Sequence, residues 1–341
     1  LLAIPSCINH ETKSHSPTAE LIDVENVPSN LFDPNAADSL DFYFNDLYKH
    51  KHFNGVALFA EDNNVHTLNL GFRDMTMKDS LRANDQFQLA SVSKPFTAFA
   101  TLLLAEEGKI HLEFPVSHYL PEFSFQEVTV EQLLTHTSGI GNYTYVTDNL
   151  WDSPANYMCN SDLLTMIECE QVPTYYEPGK TFNYCNTNYV VLAMLIERVS
   201  GLPFHQYMRE RVFEPIGMFD SEIIQIDKKT PLQYDVLGHY PDGKSKPPFY
   251  LDGVVGDKGM YSTVFDLYKF YMEWQARILL SDSSWNEATS EKVKYASNSF
   301  YGYGWRVKPR EENEETIIYH NGWWRGFRTY FWFSREQNKC C

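Results

Sequence analysis

The chain has 341 residues, of which 43% are hydrophobic and 15% aromatic, and its formal net charge at pH 7 is -17. This composition is typical of a globular protein with a sizeable core and excludes a disordered chain. The excess of acidic residues argues against nucleic acid or an anionic membrane as a partner. The sequence contains no apolar run of about 18 residues, the length that a membrane-spanning helix needs.

The start of the chain, Leu1-Leu-Ala-Ile-Pro-Ser-Cys7, allows two interpretations. It is similar to the end of a bacterial lipoprotein signal peptide, whose cysteine would carry a lipid anchor, or it is an ordinary apolar N-terminus. On the first interpretation, residues 1–30 are a signal remnant and a polar tether, because Ile8–Asn30 lacks any periodicity. That interpretation predicts a periplasmic or cell-surface location.

The next elements are predicted from hydrophobic periodicity. Asp38–Leu47 has apolar residues at helical spacing, with Asp38 as a candidate N-cap. Phe53–Ala60 and Val65–Phe72 are predicted to be two strands, because both are rich in apolar residues and a polar turn separates them. This part of the chain therefore predicts a hairpin packed on a helix.

One short motif, Ser91-Val-Ser-Lys94, precedes a predicted helix that ends near Gly108. Pro95 is tolerated only in the first turn of a helix, so the helix begins close to Ser91. Residues at i and i+3 share a helix face, which points the Ser91 hydroxyl and the Lys94 amine the same way. A serine becomes nucleophilic when a neighbouring base takes its proton, and a lysine shielded from water can be that base.

Further along, Thr129 and Gln132 predict a capping box for a short helix. His136 follows this helix, and we interpret it as structural, because no Gly-x-Ser-x-Gly sequence supports a Ser-His-Asp triad. The tripeptide Tyr184-Cys185-Asn186 lies on a loop that enters another predicted helix, a common position for functional side chains. Cys185 is expected to face away from the site.

The C-terminal part begins with a Gly-rich turn, Gly256–Thr263, which leads into a helix capped by Thr263. Strand character returns near Tyr301 and again from Ile317 onward, with a break predicted at His320-Asn-Gly322.

The six cysteines are too few and too irregular for a disulfide scaffold, and no Cys-x-x-Cys sequence indicates a zinc ribbon. For Cys159 and Cys169, a disulfide in an oxidising compartment and two reduced thiols both stay open.

Three motifs stand in one order: Ser91-x-x-Lys94, Tyr184-x-Asn186 and His320-x-Gly322. In this the chain resembles the serine β-lactamase and penicillin-binding protein superfamily, above all the branch of class C β-lactamases, D,D-peptidases and related esterases. Flanking stretches match too, including Leu133-Leu-Thr-His-Thr-Ser-Gly and Tyr301-Gly-Tyr-Gly-Trp. A second Tyr-x-Asn, Tyr43-Phe-Asn45, is interpreted as incidental. The resemblance spans residue 35 to the end.

The resemblance implies an α+β fold, an antiparallel sheet flanked by helices with a mostly helical domain inserted. The hydrolase domain would be residues 31–341, with the sheet part at about 31–90 and 255–341 and the helical part at about 91–254. The family continues with a further strand and a C-terminal helix, so we expect the chain to be truncated at its C-terminus. The resemblance implies no metal and no cofactor.

The resemblance also implies roles for individual residues. Ser91 would be the nucleophile, Lys94 its base, and Tyr184 a proton shuttle to the leaving group. The substrate would bind at four residues: Asn186, His320, Gly322 and Trp323. The backbone N–H groups of Trp323 and Ser91 would form the oxyanion hole, and the tryptophans at 323 and 324 would shape the pocket wall.

His320 stands where class C β-lactamases have a lysine. A histidine is largely neutral at pH 7, so it attracts a substrate carboxylate less strongly. We therefore expect a serine hydrolase for D-amino-acid peptides, small esters or β-lactams, with a small molecule or peptide as its partner. The rival hypothesis is a catalytically silent protein that binds peptidoglycan or a peptide on the same fold. The sequence does not indicate the oligomeric state.

Overall fold

The computed structural model of the protein describes residues 33–62, 64–151, 156–224, 236–309 and 315–341. Cys7 and the tether lie outside the described residues, so the lipid anchor and the periplasmic or cell-surface location stay predictions. None of the described helices is long and apolar enough to cross a bilayer.

The helices are α1 (Pro34–Lys49), α2 (Ser93–Glu106), α3 (Val130–Leu134), α4 (Tyr143–Leu150), α5 (Asn160–Glu168), α6 (Asn186–Ser200), α7 (Phe204–Met208), α8 (Val264–Ala276) and α9 (Asp282–Ala288). The strands are β1 (Gly55–Glu61), β2 (Asn64–Leu70), β3 (Phe72–Asp74), β4 (Asp79–Ser80), β5 (Phe87–Gln88), β6 (Glu222–Ile223), β7 (Met260–Ser262), β8 (Val293–Ala296), β9 (Ser299–Tyr301), β10 (Arg306–Lys308), β11 (Ile317–Trp324), β12 (Phe327–Ser334) and β13 (Lys339–Cys340).

Strands from both ends of the chain form the main sheet. Within the described residues it has eight strands, in the order β2-β1-β13-β12-β11-β10-β9-β8, and its pairs are antiparallel. Strands β5, β7 and β6 form a smaller sheet. The helices between β5 and β7 are inserted into this frame, so the structure confirms the α+β prediction.

Strand β11 is continuous, so the predicted break at His320–Gly322 is wrong. It pairs with β12 along its whole length, from Ile317 opposite Ser334 to Trp324 opposite Phe327. The chain reverses instead at Arg325 and Gly326, which both have positive φ angles, as tight β-hairpins require. A glycine inside a strand commonly marks a close approach of another backbone, and Gly322 lies against the backbone of Leu89 and Ser91.

Helix α1 begins one turn earlier than predicted. Its N-cap is Asp33, whose carboxylate accepts from the N–H of Asn35 at 3.0 Å, and Pro34 is the first helical residue. Asp38 lies inside the helix, so its prediction as N-cap is wrong. The sequence reasoning weighed the apolar periodicity and overlooked the Asp-Pro pair.

Helix α2 is buried from Ser93 to Leu104 and packs against α6. Phe96 on α2 meets Phe270 of α8 with ring centroids 4.1 Å apart. Burying one such ring contributes about 1.5–3 kcal/mol to folding. The helix that carries the Ser-x-x-Lys motif is therefore held by the core itself, which gives its first turn a rigid support.

The disulfide considered between Cys159 and Cys169 does not fit the structure. The two residues cap opposite ends of α5, which has nine residues. A helix of that length measures about 13 Å, whereas disulfide-bonded Cα atoms lie roughly 4.4–6.8 Å apart. Of the two interpretations, the one that remains is that Cys159 and Cys169 are reduced thiols.

Two predicted caps are confirmed. Thr129 and Gln132 form a reciprocal capping box at the start of α3, and Thr263 caps α8. Both sequences place a side-chain acceptor three residues before a free helical N–H, so local chemistry is sufficient to set these helix starts.

Candidate active site

Ser91 lies in a single 3-10 turn, Ala90–Val92, that runs directly into α2. Ala90, just before the serine, has a φ of +50°, a left-handed conformation that is uncommon for a residue other than glycine. Such strain persists only where the surroundings enforce it, and it is frequent at functional sites. Here Leu89 is tied to β7, because its N–H donates to the carbonyl of Met260 at 2.9 Å.

Lys94 is fully buried, and its amine lies within hydrogen-bond distance of three oxygens. The distances from Nζ are 3.1 Å to Ser91 Oγ, 2.8 Å to Asn186 Oδ1 and 2.9 Å to the carbonyl oxygen of Asp257. The structure thus brings the predicted Ser91 and the more distant Asn186 to the same atom, Nζ of Lys94.

The three partners of Lys94 differ in what they can do. The Asn186 and Asp257 oxygens only accept hydrogen bonds, whereas the Ser91 hydroxyl can also donate. A neutral amine has two N–H bonds and one lone pair. If the N–H bonds go to Asn186 and Asp257, the lone pair is left facing the Ser91 hydroxyl. The arrangement is suited to proton transfer from the serine to the lysine.

Tyr184 and Asn186 lie at the start of α6, Tyr184 on the preceding loop and Asn186 as the first helical residue. The Tyr184 ring is half-buried, and its centroid lies 5.0 Å from the Lys94 amine. The guanidinium of Arg306 lies 5.3 Å from the same ring. The nitrogen-bearing ends of Lys94 and Arg306 therefore both lie close to this ring.

At Gly322, strand β11 passes beside the turn that carries Ser91. A Cβ added to Gly322 would overlap Leu89 O and would lie 3.2 Å from the backbone nitrogen of Ser91. Only glycine permits this approach, which explains why it stands inside a strand.

The two tryptophans after Gly322 point in different directions. The side chain of Trp323 is 74% exposed, and Arg328 lies over its ring at 5.6 Å. Trp324 is half-buried, and its Nε1 donates to Asp252 Oδ1 at 2.7 Å. Successive strand residues face opposite sides of a sheet, so of this pair only Trp324 lies on the face of β11 that His320 and Gly322 occupy.

His320 is 1% exposed, and both of its ring nitrogens are engaged. Nδ1 lies 3.0 Å from the carbonyl oxygen of Asn321, which can only accept, so Nδ1 carries the proton. Nε2 then accepts from the Tyr301 hydroxyl at 3.2 Å. Burial, and then the charges of Arg306 and Lys94, hold the pKa of His320 well below its usual range.

A second buried cluster lies beside this site. Lys258 donates to the Tyr143 hydroxyl at 2.7 Å and to Val254 O at 2.9 Å, and Tyr143 donates to Asp257 Oδ2 at 3.0 Å. Burial lowers the pKa of Lys258, opposed by the nearby Asp257 and Asp252 carboxylates. Burial and Asp257 raise the pKa of Tyr143 well above its usual range.

The sequence patterns that contain Asp257 and Tyr301 predicted no role for these two residues, and no pattern indicated Arg306. Asp257 contributes its backbone oxygen to Lys94, and no side-chain motif can signal such a contact. Tyr301 orients His320 from β9, and Arg306 reaches Tyr184 from β10. For both, the nearest signal was the aromatic run Tyr301-Gly-Tyr-Gly-Trp.

Cys185 is buried, and burial raises the pKa of its thiol, which disfavours a nucleophilic thiolate. Across the described ranges, no group of three His, Cys, Asp or Glu side chains could hold a metal ion.

A model of the beta-lactamase family matches residues 40–340 of the chain. Penicillin-binding protein 4* of Bacillus subtilis (strain 168) is 32% identical over 314 residues, and the match covers 86% of this chain and 68% of that protein. The chain spans less than two thirds of the length of other curated relatives that it matches.

Two solved structures are similar to this one. That of a penicillin binding protein from Bacillus halodurans superposes with a TM-score of 0.75 at 26% identity, covering 87% of this chain and 92% of that one. That of a D-amino acid amidase from Ochrobactrum anthropi SV3 superposes with a TM-score of 0.69, covering 84% of this chain and 85% of that one. Its identity is 21%, so this second likeness shows the shared fold alone.

Proposed function

The chain belongs to the β-lactamase family, and on that premise we propose that it is a serine hydrolase that forms a covalent acyl-enzyme with amide or ester substrates. The observation that carries the proposal is the Lys94 amine, which contacts Ser91 Oγ, Asn186 Oδ1 and Asp257 O within 2.8–3.1 Å. A buried amine against a serine at a helix start is the pairing that nucleophilic catalysis needs.

In the first half-reaction, Ser91 Oγ attacks the substrate carbonyl carbon as its proton passes to Lys94. The resulting oxyanion accepts hydrogen bonds from the backbone N–H groups of Ser91 and Trp323, each worth about 3 kcal/mol in the transition state. The closeness of Gly322 to Ser91 N supports this part of the proposal. Tyr184 protonates the leaving amine or alcohol, and the bond to the leaving group breaks.

In the second half-reaction, a water molecule attacks the ester bond between the acyl group and Ser91. Tyr184 takes a proton from that water, and Lys94 returns its proton to Ser91 Oγ as the bond between Oγ and the acyl carbon breaks. The products are a carboxylic acid and an amine or alcohol. Asn186 would hold both Lys94 and the substrate amide.

The substrate class follows from His320, which we propose as a wall of the binding site. The residue is neutral and both of its nitrogens are engaged, so it brings no positive charge to a substrate carboxylate. We therefore propose amides and esters without a carboxylate beside the scissile bond as the better substrates, small esters and D-amino-acid peptides with a blocked C-terminus among them. β-Lactams, which carry a carboxylate beside the reactive bond, should acylate the serine slowly.

Intact-mass spectrometry after incubation with a fluorophosphonate, and separately with a penicillin, tests the proposal. We expect one fluorophosphonate adduct in the wild type and none in Ser91→Ala. Ser93→Ala is the matched control, because Ser93 is a buried serine two residues further on, at the start of α2, and accepts from Met260 N at 3.3 Å. This variant should label normally.

A folded wild type that forms no fluorophosphonate adduct would overturn the proposal and favour a catalytically silent peptidoglycan- or peptide-binding protein. A penicillin adduct that forms as fast as the fluorophosphonate adduct would overturn the assignment of substrate class and leave the serine chemistry in place.

A further inference from the structure

His136 holds the chain on both sides of Tyr184. Its carbonyl oxygen accepts from the N–H of Asn183 at 2.8 Å. Its Nδ1 accepts from the N–H of Cys185 at 3.2 Å. A single residue from the loop after α3 therefore fixes the residues immediately before and after the tyrosine.

The hydrogen bonds around His136 determine its tautomer. Ser138 Oγ donates to Asn188 Oδ1 at 2.6 Å, which turns the amide nitrogen of Asn188 toward the imidazole. That nitrogen lies 3.2 Å from Nδ1 of His136. Since the N–H of Cys185 also points at Nδ1, this atom is the acceptor and the proton lies on Nε2.

His136 stays neutral. The ring is fully buried, and burial, followed by the charges of Lys94, His320 and Arg306, holds its pKa well below its usual range. A protonated ring would turn Nδ1 into a donor and would lose both of its hydrogen bonds. His136 can therefore accept the hydrogen bond from Cys185 N–H, and so hold the loop that carries Tyr184, only while its imidazole is neutral.

The ring of His136 also supports the tyrosine directly. Its centroid lies 4.4 Å from that of Tyr184 and 4.8 Å from that of Tyr301. The backbone is left-handed, with φ at +59°, and Nε2 has no hydrogen-bond partner in the described part of the chain. Both features are unfavourable for folding, and where proteins retain them they commonly serve a functional site.

We infer that His136 is a positioning residue for acyl transfer, which holds Tyr184 against Lys94 without contacting substrate. The inference rests on the proposed function, since it needs Tyr184 to move a proton. Displacing a catalytic group by about 1 Å can lower a rate about 100-fold. This extends the interpretation of His136 as structural, because the residue acts through the Tyr184 loop.

The test compares two variants with an activated ester as substrate. His136→Leu removes the acceptor and keeps an apolar side chain, so kcat should fall about 100-fold while KM changes less than about threefold. In His136→Asn, the asparagine tolerates the left-handed backbone and offers an amide oxygen near the position of Nδ1. Its kcat should therefore be at least about tenfold higher than that of His136→Leu. If His136 acted only through packing, His136→Leu should have the higher kcat, because asparagine fills less apolar volume than leucine.

Leu163→Ala is the control for stability alone, since Leu163 is a fully buried residue of α5. It should lower Tm and leave kcat unchanged. Should the leucine variant of His136 not fold, Asn188→Ala tests the same contact, because it removes the amide that orients the imidazole, and kcat should fall about tenfold.

The outcomes separate the inference from the proposed function. A wild type that labels at Ser91 together with unchanged kcat in His136→Leu, or in Asn188→Ala, overturns the inference and leaves the function in place. An asparagine variant no faster than the leucine variant also overturns it. A wild type that does not label at Ser91 overturns the proposed function itself.

Discussion

Two buried lysines of this protein share one neighbour. Lys94 donates to the backbone oxygen of Asp257 at 2.9 Å, and Lys258 lies 3.5 Å from the carboxylate of the same residue. Both are almost fully buried, at 0% and 3% exposure. Burial therefore does not distinguish them.

Their partners do. Lys94 is surrounded by neutral oxygens, those of a hydroxyl, an amide and a peptide, and none of these three contacts is to a carboxylate. Lys258 faces the Asp257 carboxylate, which would be left uncompensated if the lysine became neutral. The comparison teaches that a lysine becomes a candidate base through neutral partners and a nearby nucleophile.

Replacing Lys94 should have the largest effect. Lys94→Met keeps the aliphatic stem and removes the amine, so acylation by an activated ester should slow about 10³–10⁴-fold. The variant should remain folded by circular dichroism. Stopped-flow kinetics gives the rate, and unchanged ester turnover would refute the role of Lys94 as base.

Lys258→Met should lower stability and leave the acylation rate nearly unchanged, the reverse of Lys94→Met. It leaves the Asp257 carboxylate buried and unpaired, which should cost about 3–5 kcal/mol of unfolding free energy in urea titrations. The acylation rate should change less than about tenfold. The double variant Lys258→Met/Asp257→Asn should regain part of the stability, and a double variant as unstable as the single one would contradict the pairing.

Gly322→Ala should act on the site through the backbone. The added methyl group meets Leu89 O and must push β11 away from the Ser91 turn, so we expect about 1–3 kcal/mol of destabilisation and about 10–100-fold lower kcat/KM. Gly55→Ala in β1 is the matched control, because its methyl group would lie at an ordinary 3.4 Å from Phe53. Equal losses in both variants would show that the effect does not depend on the site.

The last expected effect is on how the stability of the protein depends on pH. Burial holds the pKa values of His320 and His136 below the unfolded value, so in mildly acidic solution the unfolded chain binds protons that the folded chain does not. Stability is then fully present above pH ~6.5 and falls as pH drops below it, by up to about 1.4 kcal/mol per pH unit for each histidine.

Urea titrations between pH 7 and 5 measure this slope. His320→Gln should reduce the fall by up to the share of one histidine, and the comparison with wild type removes the contributions of the carboxylates. An unchanged slope would indicate that His320 binds a proton equally in both states.

Some parts of the molecule were predictable because their signals are local. The caps at Thr129 and Thr263, the helix that follows Ser91, and the strands on either side of Glu61–Asn64 depend on neighbours in sequence. The predicted break at Gly322 failed for the opposite reason, since a glycine signals a turn locally and a close approach only in the fold.

By itself, the sequence supplied three short motifs in one order and, through the family resemblance that they carry, predicted the α+β fold and the residues Ser91, Tyr184 and Asn186 that the structure brings close to Lys94. Only the tertiary structure decided that Asp257 contributes a carbonyl, that Tyr301 takes up the second nitrogen of His320, and that His136 brackets Tyr184. These contacts join residues far apart in the chain. They depend on backbone atoms, histidine tautomers and burial, which the order of residues in the sequence does not reveal.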